Sequence, residues 1–260
     1  MLLYIVEDEA ALARRAADLV IQAMERKWSA GAGGSFVLGL PTGRTPIPFY
    51  RELARRCKAG EADFSGLVTF NLDEFVGLKR DDPRSYHAFM RRHLFDRVNI
   101  KPHNAHMPNG AAPDPDLEAE HYEATIDAAG GMDCQVLGIG KNGHIGFNEP
   151  GSSLGSLTRT KYLTRQTRAD MAAEFGGEEH VPREVITMGC GTILKARRVL
   201  VLASGAEKAE IVKRAFEGPV TAMVPASVLQ LHRFVTAVAT RDCARLLTIE
   251  PEPSAPVRPR

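Results

Sequence analysis

One glycine-rich stretch, Leu137-Gly-Ile-Gly-Lys-Asn-Gly-His-Ile-Gly-Phe-Asn-Glu-Pro-Gly151, gathers a histidine, a glutamate and two asparagines. His144 is of the one side-chain type whose ordinary pKa lies near neutral pH, and Glu149, five residues on, could orient or tune it. Together they read as a proton-shuttling pair. A lone histidine is more often structural. One bounded by glycines beside Asn142, Asn148 and Glu149 fits that reading less well. Apolar Val136, Leu137 and Ile139 precede the turn, so it should follow a buried strand. In open parallel α/β sheets, ligands bind beyond the carboxyl ends of strands.

Two further loops carry chemistry. Thr42-Gly43-Arg44-Thr45 lies between an apolar strand and a helix that Pro46 can open. Backbone N–H groups at a helix N-terminus bind anions, and hydroxyls add donors. Nucleotide P-loop spacing is absent, so a single phosphate monoester suits it better than a triphosphate; a plain turn is the competing reading. Asp73 and Glu74 follow the strand Leu67–Asn71 directly. A carboxylate there could act as a base on a carbon-bound proton, or simply cap a helix. Lys208 follows the strand Val199–Leu202 and a Ser-Gly turn, as a phosphate ligand or an exposed helix cation.

Gly138-x-Gly140-x-x-Gly143 superficially matches a dinucleotide fingerprint. That motif should open a helix and meet an acid about 20 residues later. Here Asn148-Glu-Pro-Gly-Ser-Ser153 breaks any helix, and Thr158-Arg-Thr160 stands where the acid belongs. The glycines read instead as a tight turn that lets a ligand approach the backbone.

The chain has 260 residues, 44% hydrophobic and 25% charged, with a net charge of +1. That size supports a large core without disulfides. The charge balance offers no case for nucleic acid or a membrane surface. Cysteines 57, 134, 190 and 243 are too scattered for a zinc site, and reduced thiols suit a cytoplasmic location. No apolar run approaches the roughly 18 residues that span a bilayer.

Strand-like runs at 2–6, 36–40, 67–71, 134–139, 199–202 and 234–239 alternate with helical segments at 7–28, 46–58, 85–96, 116–129, 165–175 and 206–217. This alternation predicts an α/β fold with a mostly parallel sheet and helices on both faces. The loops 41–46, 71–77 and 138–151 should then converge on one rim. Gly155–Leu163 alternates enough to be a strand, and 176–180 reads as a flexible connection. Residues 1–249 are expected to form a single domain. The proline-rich 250–260 reads as a disordered tail.

Taken together, LGLPTGRTP, TFNLDEFVGL, SYHAFM, LGIGKNGHIGFNEPGSS, TRTKYLTRQTR, GCGTIL, ASGAEKAEIVKRAFEG and SVLQLH resemble the glucosamine-6-phosphate deaminase (isomerase) family, in its order, over about residues 30–240. The resemblance implies a modified doubly wound, Rossmann-like sheet with a small helical lid over about 155–185. It implies conversion of glucosamine 6-phosphate and water to fructose 6-phosphate and ammonia. Asp73 would move the proton between C2 and C1, and His144 would open the sugar ring with Asn142 and Glu149 in support. Thr42, Gly43, Arg44, Thr45 and Lys208 would hold the phosphate. No metal or cofactor is implied, because the substrate's own carbonyl and amine stabilise the enolamine.

This chain departs from the family at three places. Asn142 stands where many members have Asp, and an amide cannot take a proton from imidazole. Ala173 stands where the lid usually carries an arginine, and Arg44 replaces a small residue in the phosphate loop. Arg44 would then supply the charge missing at Ala173. Neighbouring readings are a deaminase for another amino-sugar phosphate such as galactosamine 6-phosphate, a 6-phosphogluconolactonase, or a non-catalytic sugar-phosphate sensor. The lactonase reading conflicts with Phe75 after Asp-Glu and with the Ile-Gly-Phe-Asn-Glu continuation after His144. The sensor reading conflicts with the retained Asp73, His144 and Glu149. Arg159 and Lys161 match positions used by allosteric members, but the C-terminal segment that completes that site is not recognisable, so allostery is not predicted. Family members include hexamers and monomers, so a homo-oligomer is compatible with the resemblance and not specified by it.

Overall fold

The computed structural model describes residues 1–31 and 34–253. Residues 32–33, between the first predicted helix and the second predicted strand, and tail residues 254–260 lie outside the described residues. The chain begins with β1 (Leu2–Val6), α1 (Glu9–Ser29), β2 (Phe36–Leu40), α2 (Ile47–Lys58) and β3 (Leu67–Asn71). Next come β4 (Asp73–Phe75), α3 (Tyr86–His93), β5 (Ala105–His106), α4 (Pro115–Ala128) and β6 (Cys134–Gly138). Then follow β7 (Arg159–Tyr162), α5 (Arg165–Phe175), β8 (Glu184–Thr187) and α6 (Cys190–Leu194). The last elements are β9 (Val199–Ala203), α7 (Ala209–Glu217), β10 (Val235–Thr240) and α8 (Arg241–Ala244).

Seven strands pair in parallel in the order β1-β10-β9-β6-β2-β3-β5. From β2 the chain moves outward through β3 to β5, returns to β6, and leaves the other way through β9 and β10. The direction therefore reverses between β2 and β6. The crevice at such a switch point lies between two loops that diverge, which is where open α/β sheets bind ligands.

The helices start where capping chemistry allows. Asp8 accepts from the Ala11 N–H at the head of α1, and Ser85 from the Ala88 N–H at the head of α3. Asp114 caps α4 in the same way. Each such cap satisfies donors that the first turn leaves unpaired.

Alternate strand residues feed opposite layers, as period two requires. Phe36, Leu38 and Leu40 of β2 and Leu200 and Leu202 of β9 face α1 and α2. Val37, Leu137, Val199 and Val201 face the opposite way, toward α4, α6 and α7. Burying each such side chain contributes about 1.5–3 kcal/mol.

A second, antiparallel sheet orders β4-β8-β7. It corrects the expectation of a loop at 71–77, since Asp73–Phe75 is a strand paired with Val185–Thr187. Three residues are too short a run for periodicity to reveal, and their partner lies over a hundred positions away. The expected helical lid is likewise a strand–helix–strand segment, with α5 between β7 and β8. Phe75, Phe147, Leu163, Phe175, Val181 and Val185 form a separate apolar cluster beneath it. The connection at 176–180 carries a left-handed Gly176 and a single 3-10 turn. Of the expected disordered tail, Glu252 donates its backbone N–H to Leu3 O at 2.7 Å.

Glu123 of α4 ties the start of the strand–helix–strand segment to α6. Its buried carboxylate accepts from the Thr158 N–H and hydroxyl, the Thr192 hydroxyl at 2.7 Å and Lys195 Nζ at 2.9 Å. Replacing it by alanine strands donors from two segments, Thr158 and the α6 end carrying Thr192 and Lys195, so Glu123→Ala is expected to lower stability by about 2–4 kcal/mol. Urea denaturation measures this; an unchanged midpoint would show that the carboxylate is incidental to the fold.

Candidate active site

Because β2, β3, β6 and β9 run parallel, the segments that follow them emerge on one edge of the sheet. The Thr42 hydroxyl lies 3.4 Å from Asp73 Oδ1. Lys208 Nζ lies 3.3 Å from Thr45 Oγ1, which joins the segment after β9 to the loop after β2. An ideal Cβ built on Gly146 would stand 3.6 Å from Asp73 Oδ2, so the loop after β6 also reaches this carboxylate. Three of the sequence-predicted segments thus meet around Asp73.

Asp73 is 4% exposed. Burial, with the charge of neighbouring Glu74 adding to it, pushes its pKa up to about 8, opposed by the Thr42 hydroxyl. Glu74 is buried too, and burial raises its pKa. It accepts from the backbone N–H groups of Phe75, Tyr86 and His87, which lower it. Adjacent carboxylates therefore differ in kind. Glu74 caps α3, while Asp73 remains an under-solvated carboxylate beside the Thr42 hydroxyl.

His144 sits in the turn after β6. Asn142 Oδ1 accepts from the His144 backbone N–H at 3.1 Å and stands 2.7 Å from Nδ1. An amide oxygen only accepts, so the neutral ring carries its proton on Nδ1 and keeps its lone pair on Nε2. Burial lowers the His144 pKa; Glu149 and Asp170 raise it and Lys208 lowers it. The ring packs so closely on Gly140 that an added Cβ there would lie 2.0 Å from it. Gly140 is thus the seat of the imidazole.

Glu149 is 2% exposed. Its carboxylate accepts from the Thr164 hydroxyl at 2.7 Å, from the Thr164 N–H at 3.3 Å and from the Thr167 hydroxyl. Its hydrogen-bond partners therefore belong to the head of α5. Thr164 and Thr167 drew no role from the sequence. The available signal was a threonine pair spaced as a helix N-cap and its third residue, ahead of a helical run.

At the anion end, Gly43 adopts φ +96°, which an L side chain would resist, and α2 begins at Ile47. Lys208 lies in a 3-10 turn ahead of α7, and burial lowers its pKa. Arg44 is largely exposed, and its guanidinium stands 3.9 Å from Glu174, the neighbour of Ala173 on α5. A helix N-terminus, two threonine hydroxyls, an ammonium and a guanidinium can hold a doubly charged oxyanion.

A buried carboxylate of raised proton affinity, an imidazole with a free Nε2 and a cluster of donors suited to an anion are the groups that an enzyme moving protons on a phosphorylated polyhydroxy substrate would need. The comparisons narrow that class. The pattern defining the glucosamine-6-phosphate isomerase/6-phosphogluconolactonase family matches residues 7–238, and the chain belongs to that family. It is 46% identical over 249 residues to a glucosamine-6-phosphate deaminase of Hahella chejuensis (strain KCTC 2396), covering 96% of this chain and 93% of that one. A glucosamine-6-phosphate deaminase of Arthrobacter sp. (strain FB24) is 49% identical over 234 residues, covering 90% and 88%. The solved structure of a monomeric glucosamine-6-phosphate deaminase superposes with a TM-score of 0.90 at 40% identity, covering 95% of this chain and 100% of that one. A 6-phosphogluconolactonase of Thermotoga maritima shares the fold at 21% identity with a TM-score of 0.71, covering 92% and 98%. Among the described residues no helix is long and apolar enough to cross a membrane.

Gly140→Ala tests the seat of His144. The methyl group should push the imidazole outward and relieve its burial, so its pKa, followed by NMR titration, should rise toward the ordinary histidine value. An unshifted titration would mean that the ring and loop accommodate the methyl in place.

Proposed function

We propose that this chain converts glucosamine 6-phosphate and water to fructose 6-phosphate and ammonia, with residues 1–249 acting as one domain and 155–185 as its lid. The observation that carries this reading is Asp73, a buried carboxylate of high proton affinity between the anion loop and the His144 turn. The relatives named as glucosamine-6-phosphate deaminases support it.

The phosphate binds at Thr42, Gly43, Arg44, Thr45 and Lys208, and fixes the sugar by its C6 end. His144 takes the proton of the anomeric hydroxyl on Nε2 and returns it to the ring oxygen, opening the pyranose. Asn142 holds the tautomer that this requires. Asp73 then removes the C2 proton, made acidic by the C1 aldehyde, and the enolamine forms. Return of the proton to C1 leaves an imine at C2. Water adds there and ammonia departs, leaving the ketone. Glu149 acts on His144 through its charge.

Ammonia release from glucosamine 6-phosphate, with galactosamine 6-phosphate in parallel, tests the reading. Turnover of the gluco substrate that is lost in Asp73→Asn is expected. Preference for the galacto substrate would transfer the assignment to a sister specificity, and no release from either would end it. The base must be ionised, and its free-enzyme pKa is about 8. Corrected for substrate titration, kcat/KM should therefore rise about tenfold per pH unit on the acid side and level off near pH 8. Burial lowers the His144 pKa and so moves its own titration away from that rise. A profile already flat at pH 6 would exclude Asp73 as the titrating base.

Arg44 stands beside the α5 position where the family resemblance expects a cation and this chain has Ala173. The exposed contact with Glu174 is weak enough to yield to phosphate. Arg44→Gly should raise KM about tenfold, about 1.4 kcal/mol, with little change in kcat. An unchanged KM would remove Arg44 from the phosphate site.

A further inference from the structure

We infer that Thr164 and Thr167, at the head of α5, are positioning residues that clamp Glu149 and thereby tie α5 to the loop that carries His144. The inference rests on the proposed deaminase reading for its consequence in catalysis, but the clamp itself is a matter of hydrogen bonding.

The geometry is closed on itself. Thr164 is the N-cap of α5 and accepts from the Thr167 N–H at 3.2 Å. Its hydroxyl can donate one proton, and the Glu149 carboxylate 2.7 Å away is the charged acceptor within reach. The Thr167 hydroxyl bonds to the same carboxylate oxygen. The two hydroxyls are 3.1 Å apart, so they form a fork whose donors meet on Glu149. This carboxylate has almost no contact with solvent, so without the fork its charge would lose its main stabilising partners.

His144 feels this arrangement through space. The groups that bear on it are Glu149 and Asp170, which favour its proton, and Lys208, which opposes it, against a background of burial. Asp170 lies on α5, steadied by Gln166 Nε2 at 2.9 Å. Both acids that favour the imidazolium therefore belong to α5 or are tied to it. Movement of α5 away from the sheet would withdraw Asp170 and release Glu149 together. The head of α5 is thus coupled to the His144 loop through the Glu149 carboxylate.

Thr167→Val is the informative variant, because it keeps the shape and leaves the N-cap intact. With one donor removed, the Glu149 charge is less screened and should draw the proton of His144 more strongly. The His144 pKa in the free protein, read by NMR, should rise by about half a unit, a roughly threefold gain in proton affinity. In turnover, kcat should fall about tenfold while KM changes little, and Thr167→Ser should restore both. Backbone amides of α5 should also exchange faster with solvent. A His144 titration and kcat profile that both match the unmutated protein would overturn the clamp. Should Thr167→Val prove poorly folded, Thr164→Ser and Thr167→Ser together keep both hydroxyls and must leave the titration unmoved; a shift there would equally overturn it. If the unmutated protein releases no ammonia, the deaminase reading fails while the imidazole titration still decides the clamp.

Discussion

The site depends on a carboxylate held out of water at the seam between two sheets. β3 ends the parallel sheet at Asn71, and β4 opens the antiparallel one at Asp73. Leu72 belongs to both: its N–H donates to Leu40 O, and its carbonyl accepts from the Met188 N–H. The backbone is satisfied on both sides of the junction, and among the described residues the Asp73 side chain has only the long Thr42 hydrogen bond. Taking a charge out of water without full compensation costs free energy, which the protein meets by raising the proton affinity of the acid. The neighbouring Glu74, with three N–H donors, uses the same burial to fix α3. One residue of separation thus divides a base from a structural cap.

Around that seam the topology supplies the remaining groups. Because β2 and β6 flank the reversal of the winding, their loops diverge and leave a crevice, with Thr42–Thr45 on one side and His144 on the other. The turn after β6 needs glycine at particular positions. Gly140 makes room for the imidazole, and Gly146 takes a φ of +55°. Residues 155–185 are tied at two places, by Glu123 at Thr158 and by Glu149 at the head of α5. In each case a buried acid collects hydroxyl donors from distant parts of the chain.

Much of the architecture was legible in the chain. Strands β1, β2 and β3 and helix α5 have the bounds that their apolar runs and polar flanks predicted. Other elements differ by one to a few residues at their ends, as at α3 and α7, whose predicted spans include adjoining residues outside the α-helix. Elements of few residues were not legible. β4, β5 and β8 are too short to show a period and exist because a partner strand from elsewhere pairs with them. The candidate residues were legible as types at spacings, but their partners were not. Glu149 was read beside His144 because it is near in sequence; its hydrogen bonds run to Thr164 and Thr167, fifteen and eighteen positions on.

By itself, the sequence determined the alternation of strands and helices, the glycine turns, and the carboxylate, imidazole and hydroxyl groups available at strand ends. These follow from local covalent and steric rules and from hydrophobic periodicity, which operate over a few residues. Only the tertiary structure decided which acid is a base and which a cap, which nitrogen of His144 is free, and what holds Glu149. Those properties depend on burial and on donors brought from remote segments, and proton affinity is set by that environment rather than by residue type.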